Sequence, residues 1–221
     1  HLSARPSLAP SPAVAARHIL LVGAAPQGNL TGRVGQKGLA SPAGTIYNAL
    51  TTIEATTDAR AFVIPTAIET LKLIPADRHL TGAEIEMVTL SAREERLREL
   101  LRSVRDDYDY IFIDCPPSLG LLTLNALVAA DAVLVPLHCE YFALEGLADL
   151  VGTMRRVRAS PNPELDIEGV LLTMFDDRTN LGQQVAADVR PFLKEQLFRP
   201  GIPRNVRLGR APPQRRPVPP L

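Results

Sequence analysis

The sequence predicts a doubly wound α/β fold, in which a mainly parallel sheet is flanked by helices. Two observations lead to this class. Short apolar runs recur along the chain, and such runs are typical of strands buried on both faces of a parallel sheet. Amphipathic helical patterns separate the runs, and this alternation over 221 residues suits one α/β domain. The functional loops of such a fold lie at the carboxyl ends of its strands.

The elements follow from the apolar pattern. The candidate strands are residues 18–22, 61–64, 71–74, 110–114, 132–136 and 169–174. The helical patterns are residues 91–107, 143–157 and 181–197. In the first of these, Leu97, Leu100, Leu101 and Val104 share one face. Ser91 followed by Glu94 has the pattern of a capping box, which predicts that this helix starts at Ser91.

Both ends of the chain differ in composition from its middle. Residues 1–17 contain no acid and are rich in Ala, Pro and Ser, so we expect a disordered or damaged leader rather than a targeting signal. Residues 18–208 form the predicted single domain. Residues 209–221 are a Pro/Arg-rich tail that cannot pack a core.

Overall composition excludes some classes of protein. The formal net charge is zero, which argues against a uniformly basic nucleic-acid binder. No apolar run approaches the roughly 18 residues of a membrane span. Cys115 and Cys139 lack the spacing of a disulfide framework, so we expect small buried side chains in a reducing, cytoplasmic environment.

The strongest local motif is YDYIFIDCPPSLG at residues 108–120, in which an apolar strand leads to Asp114. An acid at the tip of a hydrophobic strand is the Walker B arrangement, whose carboxylate holds Mg²⁺ through water beside a nucleotide phosphate. Two alternatives stay open from the spacing alone. Asp114 could cap the following helix, or it could be the phosphoacceptor of a receiver-type domain.

Longer strings resemble the ParA/Soj family of chromosome and plasmid partition ATPases, within the MinD-like deviant-Walker P-loop group. The strings are DYIFIDCPPSLGLLTLNAL, AADAVLVPLHCEYFALEGLADL, PQGNLTG, IPADRHLTGAEIEMV, GVLLTMFDDRTNLGQQV and IPRNVRL, in the order that the family has them. The resemblance covers residues 18–211 and implies a P-loop NTPase-like fold.

The resemblance also implies a mechanism. Two subunits of a homodimer sandwich ATP and Mg²⁺, and the ATP-bound dimer binds double-stranded DNA without sequence specificity. A ParB-type centromere-binding partner then stimulates hydrolysis to ADP and phosphate and releases the ATPase from DNA. Such a protein is cytoplasmic, nucleoid-associated and of bacterial type, with no membrane contact.

Roles for individual residues follow from the same resemblance. Asp114 is the expected Walker B acid, both the catalytic residue and the water-mediated Mg²⁺ ligand, and residues 116–121 are the expected γ-phosphate switch. The residues expected to bind nucleotide are Pro26, Gln27, Gly28, Asn29, Pro116, Pro117, Thr173, Met174, Asp176, Arg178, Pro203 and Asn205. Pro203 offers a flat apolar face and Asn205 a donor and an acceptor for a base edge. An ordinary turn is the alternative for those two alone.

Basic residues supply the candidates for DNA contact. They are Arg178, Arg190, Lys194, Arg204 and Arg207, each of which would add a salt-dependent phosphate contact. The alternative for any one of them is a solvated surface side chain. Arg155, Arg156 and Arg158 form a second basic cluster, which the sequence does not rank against the first.

Two parts of the family pattern are missing. The first strand and the phosphate-binding loop of the form K-G-G-x-G-K-T-T that follows it are absent, and GRVGQKG at residues 32–38 lacks the spacing of that loop. The family has D-x-D before PQGN, where this chain has Gly23, Ala24 and Ala25. We therefore expect a truncated or frameshifted gene product of marginal stability, with little or no ATP binding and no hydrolysis. The alternative is a non-catalytic α/β module that binds DNA or a partner without ATP turnover.

Overall fold

The computed structural model describes residues 17–52, 58–138, 143–175, 196–198 and 201–203. The chain divides into two compact units, one up to Ala129 and one from Ala130. In the part of the chain that the structure describes, no helix is long and apolar enough to cross a membrane.

The unit up to Ala129 is built on a four-stranded sheet with the order β2-β3-β1-β4. Its strands are β1 (Ile19–Gly23), β2 (Ile64–Pro65), β3 (Leu71–Ile74) and β4 (Tyr110–Asp114). Its helices are α1 (Asn29–Arg33), α2 (Ile46–Thr51), α3 (Leu80–Glu86), α4 (Arg96–Arg102) and α5 (Leu121–Ala129), with 3-10 turns at Ala59–Phe62, Met87–Thr89 and Arg105–Asp107. β1 runs parallel to both β3 and β4, and β2 is antiparallel to β3.

Strand β1 is the centre of this unit because both of its faces are buried. Leu20 and Val22 pack into one core cluster with the helices α2 to α5. Ile19 and Leu21 pack into a second cluster on the opposite face, together with Leu30 of α1. An apolar run with no alternation therefore gives a strand covered on both sides, as the sequence predicts.

The unit from Ala130 contains a second parallel sheet with the order β5-β6-β7. Its elements are β5 (Ala132–His138), α6 (Ala143–Ala159), β6 (Asp166–Phe175) and β7 (Ile202–Pro203). Val135 and Leu137 of β5 pack with Val170 and Leu172 of β6 and with Leu147 of α6. The predicted mainly parallel, helix-flanked architecture is confirmed, and the described pairings divide it into two sheets.

The predicted strand bounds differ in their outcome. Residues 71–74 and 110–114 are confirmed as strands. The strand predicted at residues 61–64 is wrong for most of its length, because Ala59–Phe62 is a 3-10 turn and only Ile64 enters β2. The Asp58 carboxylate stabilises the turn by accepting the N–H of Arg60 at 2.9 Å. The helix predicted at residues 181–197 lies almost entirely outside the described residues.

The predicted helix at residues 91–107 has the expected buried face but starts later. Leu97, Leu100, Leu101 and Val104 are all buried. The capping box at Ser91 is wrong, because Ala92 has a φ of +48° and α4 begins only at Arg96. The first turn of α4 is capped from a distance instead, since the N–H of Leu97 donates to Asn125 Oδ1 at 3.1 Å.

Candidate active site at the carboxyl edge of β1, β3 and β4

The carboxyl ends of β1 and β4 meet at one edge of the first sheet. Gly23 is the register partner of Asp114, and the N–H of Ala24 donates to the Asp114 carbonyl at 2.8 Å. Gly23 and Ala24, which precede PQGN, are therefore direct neighbours of Asp114, the predicted Walker B acid. This is the edge at which an open α/β sheet binds its ligands.

The PQGN segment forms the predicted turn. The N–H of Gly28 donates to the Ala25 carbonyl at 3.1 Å, and Gly28 has a φ of +60°. Pro26 and Gly28 are half-buried, whereas Gln27 and Asn29 are exposed. The turn and α1 are attached to the end of β3, because Thr31 Oγ1 donates to the Ala76 carbonyl at 3.3 Å and accepts the Ala76 N–H at 3.1 Å.

Gly23 is packed too closely against Ala76 for a side chain. A Cβ at position 23 would lie 2.9 Å from Ala76 Cβ and 3.1 Å from Ala76 N. Those atoms belong to a short rigid side chain and to backbone, so they cannot move aside easily. The position at which the family pattern has an acid is therefore shaped for glycine in this chain.

Asp77 is a second acid at this edge, and the sequence analysis missed it. It follows β3 and is half-buried. Its Oδ2 accepts the hydroxyl of Thr45 at 3.1 Å, and its Oδ1 accepts the N–H of His79 at 2.8 Å. The signal was available, since "PAD" after the apolar run 71–74 is the same strand-end pattern that identified Asp114. The two oxygens therefore hold the starts of two helices, since Thr45 precedes α2 and His79 precedes α3.

Asp114 is half-buried at the end of β4, with its Oδ1 atom inaccessible to solvent. The structure does not support the alternative that it caps the next helix. α5 begins at Leu121, seven residues further on, and the N–H of Leu122 donates to Glu84.

The loop between Asp114 and α5 contains the predicted residues Pro116 and Pro117. Pro116 is buried and Pro117 is exposed. Thr123 Oγ1 in the first turn of α5 donates to the Ser118 carbonyl at 2.6 Å and lies 3.4 Å from the Pro116 carbonyl oxygen. The predicted switch segment is thus tied to the helix that follows it.

In the unit from Ala130, three of the predicted nucleotide-binding residues lie together at the end of β6. Thr173 pairs with Ile202, and Phe175 pairs with Pro203. Met174 lies between these two pairs with a φ of +54° and is 47% exposed. Thr173 is buried, and its hydroxyl donates to the Leu137 carbonyl at 3.3 Å. The other predicted members, Asp176, Arg178 and Asn205, lie outside the described residues.

One of the two basic clusters can be placed. Arg155, Arg156 and Arg158 are exposed on the last turns of α6. Arg156 donates to Thr153 Oγ1 at 3.0 Å, and Arg158 lies 3.6 Å from Asp166. The first set of candidates, Arg178, Arg190, Lys194, Arg204 and Arg207, lies outside the described residues.

Within the described ranges, no three His, Cys, Asp or Glu side chains are grouped closely enough to hold a metal ion. Mg²⁺ at a nucleotide site is usually held by one or two carboxylates together with substrate phosphates. At this edge Asp114 provides one carboxylate, Asp77 is engaged with Thr45 and His79, and Gly23 and Ala25 provide none. The described residues therefore supply only part of an ATP·Mg²⁺ site and do not by themselves fit that group.

The family model described as an AAA domain matches residues 5–167 of this chain. The chain is 50% identical over 212 residues to the chromosome partitioning protein ParA of Myxococcus xanthus, which covers 96% of this chain and 74% of the relative. It is 47% identical over 202 residues to the sporulation initiation inhibitor protein Soj of Bacillus subtilis, covering 91% of this chain and 78% of the relative. The chain belongs to the ParA/Soj family of partition ATPases.

A solved structure supports the fold. Cobyrinic acid a,c-diamide synthase from Mycobacterium smegmatis, with bound ATP analog and magnesium, superposes with a TM-score of 0.81 and 34% sequence identity. The match covers 94% of this chain and 84% of the synthase chain. The predicted family and P-loop NTPase-like fold are confirmed, and the family match begins at residue 5, whereas we placed the start of the resemblance at residue 18. That the chain is a truncated or frameshifted gene product stays a prediction.

Proposed function

We propose that this chain is a partition protein that acts as a homodimer on non-specific double-stranded DNA with a ParB-type partner, and that it turns over little or no ATP. It would work in the cytoplasm, associated with the nucleoid. The family membership supports the partition role. The missing acids at the carboxyl end of β1, beside Asp114 of β4, support the loss of ATP turnover.

The observation that carries the proposal is the pairing of Gly23 with Asp114. Phosphoryl transfer depends almost entirely on positioning and on fixed charges around the phosphates and the metal. The family pattern has two acids before PQGN, whereas this chain has Gly23, the register partner of Asp114, and Ala25 at those positions. Asp114 alone is left to organise water and Mg²⁺ at this edge, so ATP and Mg²⁺ should bind weakly.

The remaining predicted site residues keep roles that do not need turnover. We assign Pro116 and Pro117 to the loop that responds to the state of the Asp114 edge. Around a nucleotide base we assign Thr173, Met174 and Pro203, and we extend this set to Asp176, Arg178 and Asn205. The register of β6 with β7 supports the assignment of Thr173, Met174 and Pro203, because it holds these residues side by side. We also assign nucleotide binding to the turn residues Pro26, Gln27, Gly28 and Asn29, which follow the end of β1.

DNA contact is assigned to basic side chains. Arg155, Arg156 and Arg158 are exposed on one helix, so all three can reach phosphates without disturbing the packing of the helix. Arg178, Arg190, Lys194, Arg204 and Arg207 stay candidates on the family resemblance alone. A second candidate function is a non-catalytic module that binds DNA or a partner without any nucleotide, and the close packing of Gly23 on Ala76 favours it.

An ATPase assay on the 221-residue chain tests the loss of turnover. We expect phosphate release at background level, with and without DNA, and no change in the Asp114→Ala variant. ATP turnover that Asp114→Ala abolishes would contradict the proposal.

DNA binding tests the partition role and separates the two candidate functions. We expect a salt-sensitive shift of non-specific duplex DNA, and Arg155→Ala/Arg156→Ala/Arg158→Ala should lower the slope of log K against log [salt] by about 1 for each arginine that binds a phosphate. Arg102→Ala is the matched control, because Arg102 is an exposed helical arginine paired with Glu99 at 2.9 Å. A shift that Mg·ATP strengthens favours the partition protein, and one that nucleotide leaves unchanged favours the non-catalytic module. No DNA binding at low salt contradicts both.

A further inference from the structure

Helix α5 starts without a capping side chain of its own. Gly120 precedes it and accepts the N–H of Leu124 at 3.0 Å, and its first turn contains no acid. The first N–H groups of a helix need acceptors from outside the helix. One acceptor comes from α3, because the N–H of Leu122 donates to Glu84 Oε1 at 3.2 Å.

Gly120 and Glu84 fit together as a pair. A Cβ at position 120 would collide with Glu84 Oε1 and would lie 3.0 Å from Cδ and 3.2 Å from Oε2. The glycine therefore leaves the space that the carboxylate occupies. A negative charge at a helix N-terminus is also stabilised by the helix dipole.

The contact fixes the end of the post-β4 loop, which we define as residues 115–120. The loop begins directly after Asp114 and ends where Glu84 meets α5. Thr123 ties its middle through the Ser118 carbonyl. The loop is thus held by α5 and, through Glu84, by a helix 38 positions away along the chain.

Helix α3 is itself attached to the neighbouring strand end. His79 immediately precedes α3, and its N–H donates to Asp77 Oδ1 at 2.8 Å after β3. A continuous chain of contacts therefore joins the end of β3 to the post-β4 loop. The path runs from Asp77 through α3 and Glu84 to the loop beside Asp114.

We propose that Glu84 is a positioning residue that latches the post-β4 loop, so that the loop moves at the Asp114 edge only when the contact of Glu84 with α5 opens. This inference rests on the proposed function, which makes the Asp114 edge the working site. Glu84 acts through the backbone of α5 and contacts no reacting atom.

Hydrogen–deuterium exchange of the whole chain without nucleotide tests the latch. We expect Glu84→Ala to speed amide exchange in residues 118–122 by at least about tenfold, which corresponds to about 1.4 kcal/mol, with β1 unchanged. Glu84→Gln should restore slow exchange, because the amide oxygen still accepts the Leu122 N–H. Glu86→Ala is the matched control, since Glu86 lies on the same helix but accepts the Tyr47 hydroxyl at 2.9 Å.

Wild-type exchange in Glu84→Ala, or a rise of equal size in β1, would overturn the latch. Gly120→Ala gives a second route, because its Cβ displaces the carboxylate while Glu84 stays in place. It should speed exchange in the same segment, and slow exchange there would count against the proposal. The measurement needs no nucleotide and no DNA, so its failure is separate from failure of the proposed function.

Discussion

β1 and β4 lie side by side in one sheet and end at the same level, but their ends carry opposite chemistry. All five residues of β1 are buried, and the strand ends in Gly23, packed against Ala76. β4 is half-exposed along most of its length and ends in Asp114. The two strands keep a continuous parallel register from Ile19 with Tyr110 to Gly23 with Asp114.

The comparison separates the frame of the site from its chemistry. The register is set by apolar residues such as Leu20 and Ile111, which pack into the same core cluster. An acid at the end of a strand contributes little to that packing. A chain can therefore keep the strand ends of an ATPase fold while the charge at one of them changes. Packing at the changed position then determines whether the acid can return.

The largest expected effect comes from truncating register partners in the two strands. Leu20→Ala should lower the free energy of unfolding by about 3 kcal/mol, because Leu20 is fully buried between two layers. Ile111→Ala should cost about half as much, because Ile111 is only partly buried. Urea unfolding followed by circular dichroism measures both. Equal costs would mean that β4 is as much a core strand as β1.

The next largest effect is expected at Gly23, where the end of β1 packs closely against Ala76. Gly23→Ala should cost about 2 kcal/mol of unfolding free energy, because the new Cβ overpacks against Ala76. Gly32→Ala is the matched control, since a Cβ there meets nothing within 4 Å and the residue lies in α1. That control should be neutral or stabilising by up to about 1 kcal/mol.

Adding Ala76→Gly to Gly23→Ala should recover part of the lost stability, because it removes the 2.9 Å contact with Ala76 Cβ but leaves the 3.1 Å contact with Ala76 N. A thermal melt can follow this recovery. If Gly23→Ala is as harmless as Gly32→Ala, the end of β1 is open and an acid could be restored there directly. If Gly23→Ala is destabilising as expected, the Gly23→Asp/Ala25→Asp variant should fold well only when Ala76→Gly is added.

Much of the fold could be predicted from the sequence because its signals are local. Strands β3 and β4 are short, mainly apolar runs, and their bounds match the predicted residues 71–74 and 110–114. The start of α4 could not be predicted, because its cap is Asn125, which lies 28 positions away. Ser91 and Glu94 have the local cap pattern, but the left-handed backbone of Ala92 breaks the helix between them.

The candidate site divides in the same way. Asp114 was found because a single strand points to it, and the same rule would have found Asp77. The closeness of Gly23 to Ala76 and the contact of Glu84 with Leu122 carry no local signal, since each joins segments that only the fold brings together. Sequence patterns therefore predicted which residues end the strands, but they did not predict the contacts that more distant segments make at those ends.

The smallest expected effect lies at the opposite, amino ends of β1 and β4. The Asp109 carboxylate accepts the His18 N–H at 2.7 Å and an Arg17 N–H at 3.0 Å, and these contacts, the first above all, hold the pKa of Asp109 below its ordinary value. Because the folded pKa is the lower one, the contact stabilises the fold fully above the unfolded pKa of about 3.9, and this contribution is lost as the pH falls through the folded pKa. Asp109→Asn should remove that part of the acid sensitivity in melts below about pH 4, and the exposed Asp106→Asn should not. If both variants melt like the wild type at every pH, the amino ends are held by strand pairing alone, and the two strands differ only where they end.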